Sequence, residues 1–183
     1  MAQSAERLAR PRKPAVFLDR DGVINVDRGY VSSRAHFQWI PGAIEAIKAL
    51  NDAGYYVFVA TNQSGIARGL YSEHEMQALH DYIAQKLAEK GARIDDWRHS
   101  PFHPEGTVIA YKRTSDWRKP RPGMILDLLQ AWPVDRAKSV LIGDKESDMR
   151  AAAAARVRGL RFSGGNLLAF VRARVLGTRP RPS

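Results

Sequence analysis

A four-residue apolar run, Ala15-Val16-Phe17-Leu18, ends on a carboxylate, Asp19, and a second carboxylate, Asp21, follows just before Gly22. An unbroken apolar run stopped by a glycine turn reads as a strand buried on both faces, as in a parallel sheet. In open α/β sheets ligands bind beyond the carboxyl ends of the strands. Both carboxylates are therefore expected at the mouth of a site, where they can bind a metal, attack a phosphorus atom or exchange a proton.

Further apolar runs recur along the chain at Tyr55–Ala60, Ser139–Ile142 and Val157–Phe162, with a shorter candidate strand at Ile94–His99. Helical patterns lie between them. Pro41-Gly42 opens one that carries Ala43, Ile44, Ala46, Ile47 and Leu50 on one face and stops at Gly54. Ser72 with Glu75 forms a capping box for a second, which runs to Gly91. Pro122-Gly123 leads into a third, an alanine-rich helix covers Met149–Ala155, and a last one covers Leu167–Val175. Asn25–Ile40 reads as a loop folding over the site, and 100–121 as irregular. Strands alternating with helices predict a three-layer α/β architecture, a Rossmann-like parallel sheet with helices on both faces.

The 183 residues suit one domain, and 44% hydrophobic with 26% charged residues is ordinary for a soluble chain. No stretch reaches transmembrane length and residues 1–14 lack a signal-like apolar core, so a cytoplasmic location without a membrane partner is the default expectation. With zero cysteines there is no disulfide, thiolate nucleophile or cysteine zinc site. The net charge of +10 is concentrated at the ends: four basic residues against one acid in 1–14, and four against none in 171–183. We divide the chain into a basic extension over 1–13, one folded domain over 14–171 and a basic tail over 172–183. The ends read as solubilising tails; a basic arm for an anionic partner is the sharper alternative.

Three strand ends present polar residues: Asp19 and Asp21; Thr61-Asn62-Gln63-Ser64-Gly65; and Gly143-Asp144-Lys145-Glu146-Ser147-Asp148. Taken singly each has a bland reading as a solvated loop, a cap or a turn. Together they converge on one sheet edge, where clustered carboxylates call for a hard divalent cation such as Mg²⁺. Thr61 and the amides of the Asn62 turn can donate to phosphate, Lys119 and Lys145 can neutralise its oxygens, and Arg118 offers a planar fork for a second anion. That inventory suits phosphoryl transfer through an aspartyl intermediate.

At these residues the chain resembles the haloacid dehalogenase superfamily, through Asp19-Arg20-Asp21-Gly22, Thr61-Asn62, Lys119 and Gly143-Asp144 with Asp148. It is most similar to the branch of heptose-bisphosphate and histidinol-phosphate phosphatases, through Phe17–Asp27, TNQSGIARG at 61–69, Arg118–Met124 and Gly143-Asp144-Lys145. The resemblance implies a haloacid dehalogenase-like fold with minimal cap loops. It implies Asp19 as nucleophile, Asp21 as acid and base, and Thr61 and Lys119 steadying the phosphoryl group. Mg²⁺ would be held by Asp19, the Asp21 carbonyl and Asp144. Asp27, Arg28, Gly29, Tyr30, Asn62, Gln63, Ser64, Arg118 and Lys145 would line the substrate pocket, with Asp148 bracing Lys145 or the metal shell. The implied substrate is a small phosphorylated sugar, heptose 1,7-bisphosphate cleaved at the 7-phosphate. The alternatives are histidinol phosphate, or a nucleic-acid 3′-phosphatase or binding module. No nucleic-acid partner is expected, and a monomer is.

One departure stands out. The branch usually carries a structural zinc on three cysteines and a histidine, and the aligned positions here read Ser100, Phe102, Ser115 and Trp117, with His103 one residue off. No structural zinc is expected, and Phe102, Tyr111 and Trp117 are expected to hold that loop as an apolar cluster.

Overall fold

A sheet covered on both faces needs apolar residues at every strand position, and this is how the central strands are built. The computed structural model describes residues 11–177. Among them five strands form one wholly parallel sheet in the order β3-β2-β1-β4-β5: β1 Ala15–Leu18, β2 Tyr56–Asn62, β3 Asp96–Ser100, β4 Val140–Gly143 and β5 Arg158–Arg161. The helices are α1 Ala43–Asp52, α2 Glu73–Ala88, α3 Gly123–Ala131, α4 Glu146–Ala154 and α5 Leu167–Val171. Successive strand residues point to opposite faces. Val16, Leu18, Val57 and Val59 pack with α1, α2 and α5, while Ala15, Phe17, Tyr56 and Phe58 pack with α3 and α4. The expected three-layer architecture is present. No described helix is long and apolar enough to cross a membrane.

Several boundaries differ from the sequence expectation for identifiable reasons. The third strand is shifted to Asp96–Ser100, because on an edge its half-exposed residues carry little apolar signal. Helix α4 starts at Glu146 rather than Met149: the Lys145 amide donates to Asp148 Oδ2 at 3.0 Å, which satisfies the first turn. After α5 the chain continues into a π-helical turn over Arg172–Leu176, and Val175 and Leu176 pack against the core. The domain edge expected at 171 therefore falls inside a continuous helical segment. Lys13, expected in the basic extension, donates its amide to the Pro133 carbonyl and sets its ammonium 5.7 Å above the Tyr56 ring. Residues 1–10 and 178–183 of the two basic ends lie outside the described residues.

The start of β1 depends on one side chain. The Ala15 amide donates to Ser139 Oγ at 2.9 Å, and that hydroxyl donates in turn to the Asp135 carbonyl at 2.6 Å, all buried or nearly so. Ser139→Ala strands a buried amide, which costs about 1–3 kcal/mol. Urea unfolding of this variant is expected to show a lower midpoint at an unchanged slope; an unchanged midpoint would remove the link its importance.

Candidate active site

Register brings the functional residues together. Leu18 is level with Val59 of β2 and Ile142 of β4, so Asp19, Thr61 and Asp144 leave the sheet at one edge. The chain reverses away from β1 alongside β4, next to the point where strand order switches direction. Two glycines permit the crowding. A Cβ on Gly22, whose φ is +87°, would lie 2.3 Å from Asp144 Oδ2, and one on Gly143 would lie 2.3 Å from the Asp148 Cβ. Only glycine lets both acids close in.

Charge at this edge is concentrated and buried. Lys119 Nζ sits 3.0 Å from Asp19 Oδ1 and 2.6 Å from Asp148 Oδ1, and donates to the Ala60 carbonyl at 2.8 Å. All three charged residues are under 8% exposed. Burial pushes the Asp19 carboxyl up to about 7, against the pull of Lys119 and with the repulsion of Asp148 and Asp21 added. Burial acts to lower Lys119, but its two carboxylates outweigh it and hold the ammonium above its ordinary value. Asp148 uses its other oxygen on the Lys145 amide, so it braces Lys119 as well as the Lys145 backbone.

Asp21 is held on both oxygens. Asn25 Nδ2 donates to Oδ1 at 2.9 Å, Gln63 Nε2 to Oδ2 at 3.0 Å, and Arg20 Nη2 to both at 3.1 and 3.0 Å. Gln63 also donates to Thr61 Oγ1 at 2.8 Å and accepts from the Tyr71 hydroxyl at 2.6 Å. Asn62 clamps the Lys119 backbone from both sides: Oδ1 accepts its amide and Nδ2 donates to its carbonyl, each at 3.0 Å.

A cleft of about 570 Å³ opens over this edge, lined by Asp19, Asp21, Asp27, Gly29, Tyr30, Asn62, Ser64, Tyr71, Arg118, Lys119, Pro120, Lys145 and Ser147. The structure thus gathers most of the expected pocket residues and leaves two aside. Gln63 is buried behind the cleft, engaged with Asp21, Thr61 and Tyr71. Arg28 is exposed and donates to Gln38 Oε1. Lys145 Nζ meets Asp27 Oδ2 at 2.8 Å across one side of the cleft. Burial acts to raise Asp27, but the bonds from Lys145 and the Gly29 amide hold its carboxyl below the ordinary range. Burial lowers Arg118, and the nearby Arg68 charge adds to that. A larger hollow of about 760 Å³ lies at the other end of the sheet, beside Arg12, Trp132 and Arg136, with no comparable set of carboxylates.

The loop over 100–118 is folded by polar contacts more than by an apolar cluster. Amides of Thr107 and Val108 both donate to the Ala67 carbonyl, at 2.8 and 2.9 Å. Glu73 accepts from the Tyr111 hydroxyl at 2.8 Å and faces His99 Nε2 at 2.9 Å. Arg68 donates to His103 Nε2 at 3.3 Å, and Arg113 stacks 4.1 Å from the Phe102 ring. Of the expected aromatic trio, Phe102 and Tyr111 face each other at 6.1 Å, whereas Trp117 lies beside Gly123 at the start of α3.

A metal ion suits the remaining donors. Carboxylate oxygens of Asp19, Asp144 and Asp148 lie within 4.8 Å of one another, the one such cluster among the described residues. Asp144 Oδ1 is buried with no hydrogen-bond partner. Burial raises the Asp144 carboxyl, with Lys145 opposing. An oxygen-only set that is desolvated and short of positive charge fits a hard divalent cation. Arg20 and Tyr71 escaped sequence reasoning as parts of this site. For Tyr71 the available signal was its place just after TNQSGIARG; for Arg20 it was a cation between two carboxylates.

The chain is similar to known proteins over nearly its full length. A family model described as HAD-hydrolase-like matches residues 116–167. D-glycero-beta-D-manno-heptose-1,7-bisphosphate 7-phosphatase of Rhodopseudomonas palustris is 54% identical over 162 residues, covering 88% of this chain and 90% of that protein. The protein of the same name from Escherichia coli K12 is 44% identical over 144 residues, covering 79% and 75%. A crystal structure of D,D-heptose 1,7-bisphosphate phosphatase from B. bronchiseptica, complexed with magnesium and phosphate, matches with a TM-score of 0.76 at 34% identity, over 92% of this chain and 89% of that one. With its paired acids, buried lysine and third carboxylate on one parallel-sheet edge, the chain belongs to the haloacid dehalogenase superfamily of phosphatases, in its heptose-bisphosphate phosphatase branch.

Proposed function

We propose that the protein hydrolyses the 7-phosphate of D-glycero-D-manno-heptose 1,7-bisphosphate through a phosphoryl group carried on Asp19. The observation that carries this reading is the convergence of Asp19, Asp21 and Lys119 on one cleft, beside an Asp144 oxygen with no partner. The names and identities of the relatives support the choice of sugar.

In this reading an Asp19 oxygen attacks phosphorus and the bond to the sugar oxygen breaks. Asp21 gives its proton to that leaving oxygen. Water then attacks the phosphorus of the aspartyl-phosphate, Asp21 takes the proton back, and inorganic phosphate leaves with Asp19 restored. Lys119, fixed by Asn62 and Asp148, lies against the transferring oxygens, and the Thr61 hydroxyl is placed by Gln63 to donate beside it. Mg²⁺, held by Asp19, Asp144 and the Asp21 carbonyl, would offset the charge of the phosphoryl group and of the carboxylates. Arg118 and Lys145 are the cations toward the open side of the cleft, suited to a phosphate that is retained. The loop over 100–118 is read as working without zinc, since its contacts to Ala67 and Glu73 already hold it.

Asp19→Asn is expected to lower phosphate release at least about a thousandfold while circular dichroism and Tm stay near the parent values. Turnover close to the parent rate would remove the nucleophile assignment. A panel of heptose 1,7-bisphosphate, other sugar phosphates and histidinol phosphate, read as released phosphate, should rank the heptose first. Preference for histidinol phosphate would overturn the substrate, and metal analysis finding one zinc per chain would overturn the zinc-free loop.

Mg²⁺ binding should also show in stability. At a hundred times its Kd a ligand specific to the folded state contributes roughly 2.7 kcal/mol, or about 5–10 °C in Tm for a chain of this size. The effect depends on pH in a definite direction. Unfolded aspartates ionise near pH 4, whereas folded Asp19 ionises near about 7 without metal. Between those values the folded state holds a proton that the unfolded state has lost, so these groups contribute less stability as pH rises. A cation requires them deprotonated. The Mg²⁺-induced rise in Tm should therefore be larger at pH 8 than at pH 5.5; equal rises at both would contradict a site built on Asp19.

A further inference from the structure

Arg20 stands between the two reacting acids in sequence, yet it is fully buried. A buried guanidinium is costly unless its donors meet acceptors, and here the two terminal nitrogens meet them while Nε has no partner. Its Nη2 donates to both oxygens of Asp21 and to the Val31 carbonyl. Its Nη1 lies 3.2 Å from Nε2 of His80, on α2. A guanidinium has no acceptor and keeps its protons, so His80 Nε2 is the accepting atom and the ring proton sits on Nδ1. The ring is therefore neutral. Burial and the adjacent Arg20 charge push His80 down to about 3, in keeping with that geometry. His80 is 3% exposed and stacked on Trp97 of β3, with ring centroids 4.5 Å apart and planes 25° from parallel. A helix and an edge strand thus fix the imidazole, the imidazole fixes the guanidinium, and the guanidinium reaches both oxygens of Asp21.

We propose that Arg20 and His80 are positioning residues for proton transfer: neutral His80, by accepting from Arg20, sets the guanidinium so that the Asp21 carboxyl faces the leaving oxygen. The inference rests on the reading of Asp21 as acid and base. It assigns the pair no part in binding phosphate, because Arg20 is walled off from the cleft lining. The Val31 contact gives the same guanidinium a second tie, to the loop that carries Asp27 and Tyr30 over the cleft. Misplacing a catalytic group by about 1 Å can cost on the order of a hundredfold in rate.

A positioning role makes a distinctive kinetic demand. Protonation matters most when the leaving oxygen is strongly basic and least when it is stabilised, so the loss should depend on the leaving group. The test uses the full chain with Mg²⁺ and a series of substituted phenyl phosphates, from p-nitrophenyl to unsubstituted phenyl, which needs no knowledge of the sugar. His80→Leu removes the acceptor, and His80→Gln can supply an amide oxygen in its place. The expected result is that His80→Leu slows phenyl phosphate roughly tenfold more than p-nitrophenyl phosphate, steepening the dependence on leaving-group basicity as Asp21→Asn does. His80→Gln should return the slope toward that of the parent. Equal slowing of all esters by His80→Leu, with Asp21→Asn steep, would overturn the positioning role alone; so would a His80→Gln no better than His80→Leu. A flat Asp21→Asn series would overturn the acid assignment itself, and this inference with it. If His80→Leu fails to fold by circular dichroism, Arg20→Lys takes its place: it keeps the positive charge and loses the simultaneous reach to His80 and Asp21. A parent-like slope for Arg20→Lys would likewise overturn the proposal.

Discussion

The ion pair between Lys119 and its two aspartates is the constraint on which the site depends. Asp19 and Asp148 lie almost wholly out of water within one group of acids, an arrangement that Coulomb repulsion and lost hydration both oppose. One ammonium between them, 3.0 Å from Asp19 and 2.6 Å from Asp148, makes it tenable. Much of the surrounding structure serves to keep that ammonium in place. Asn62 holds the Lys119 backbone at both polar groups, Ala60 accepts a third bond from Nζ, and Gly143 leaves the space into which Asp148 fits. The balance stays incomplete on the side of Asp144, and that shortfall of positive charge is what a divalent cation would fill.

Residues at the strand ends were readable because two simple rules coincide there. Continuous apolarity marks a strand covered on both faces, and parallel pairing carries every such strand toward one edge. Asp19, Asp21, Thr61 and Asp144 follow from those rules alone. Gln63 and Arg20 do not, since what they do is decided by partners distant in sequence. Gln63 sits in a motif that invites a substrate role, yet Tyr71 takes its carbonyl oxygen while Asp21 and Thr61 take its amide. Arg20 lies within the first motif but shows no role of its own in the sequence, because its partners are on α2 and at Val31. Arg28, one residue from pocket-lining Asp27 and Gly29, turns instead to Gln38, a partner ten residues further along the chain.

The third strand shows the same limit from the side of the fold. Asp96 is a poor strand former, and Arg98 and His99 add no apolar signal. They are held there by the β2 register and by side-chain ties: Arg98 to Asp96 and Asp127, and His99 to Glu73. Tertiary contacts thus write the edge of the sheet, while intrinsic preference writes its centre. The consequence for the site is that Trp97, which props His80, stands on the strand that local sequence specifies least.

The loop over 100–118 reaches its shape through a backbone carbonyl at Ala67 that takes two amides, and through the Glu73 carboxylate with its tyrosine and histidine neighbours. Peptide groups and carboxylates are indifferent to redox state. Peroxide or disulfide stress, which would dismantle a thiolate cage at this position, meets no sulfur in this loop. Under the zinc-free reading proposed above, the rim of the cleft would answer to acid rather than to oxidants, since protonating Glu73 would dissolve its hold on His99.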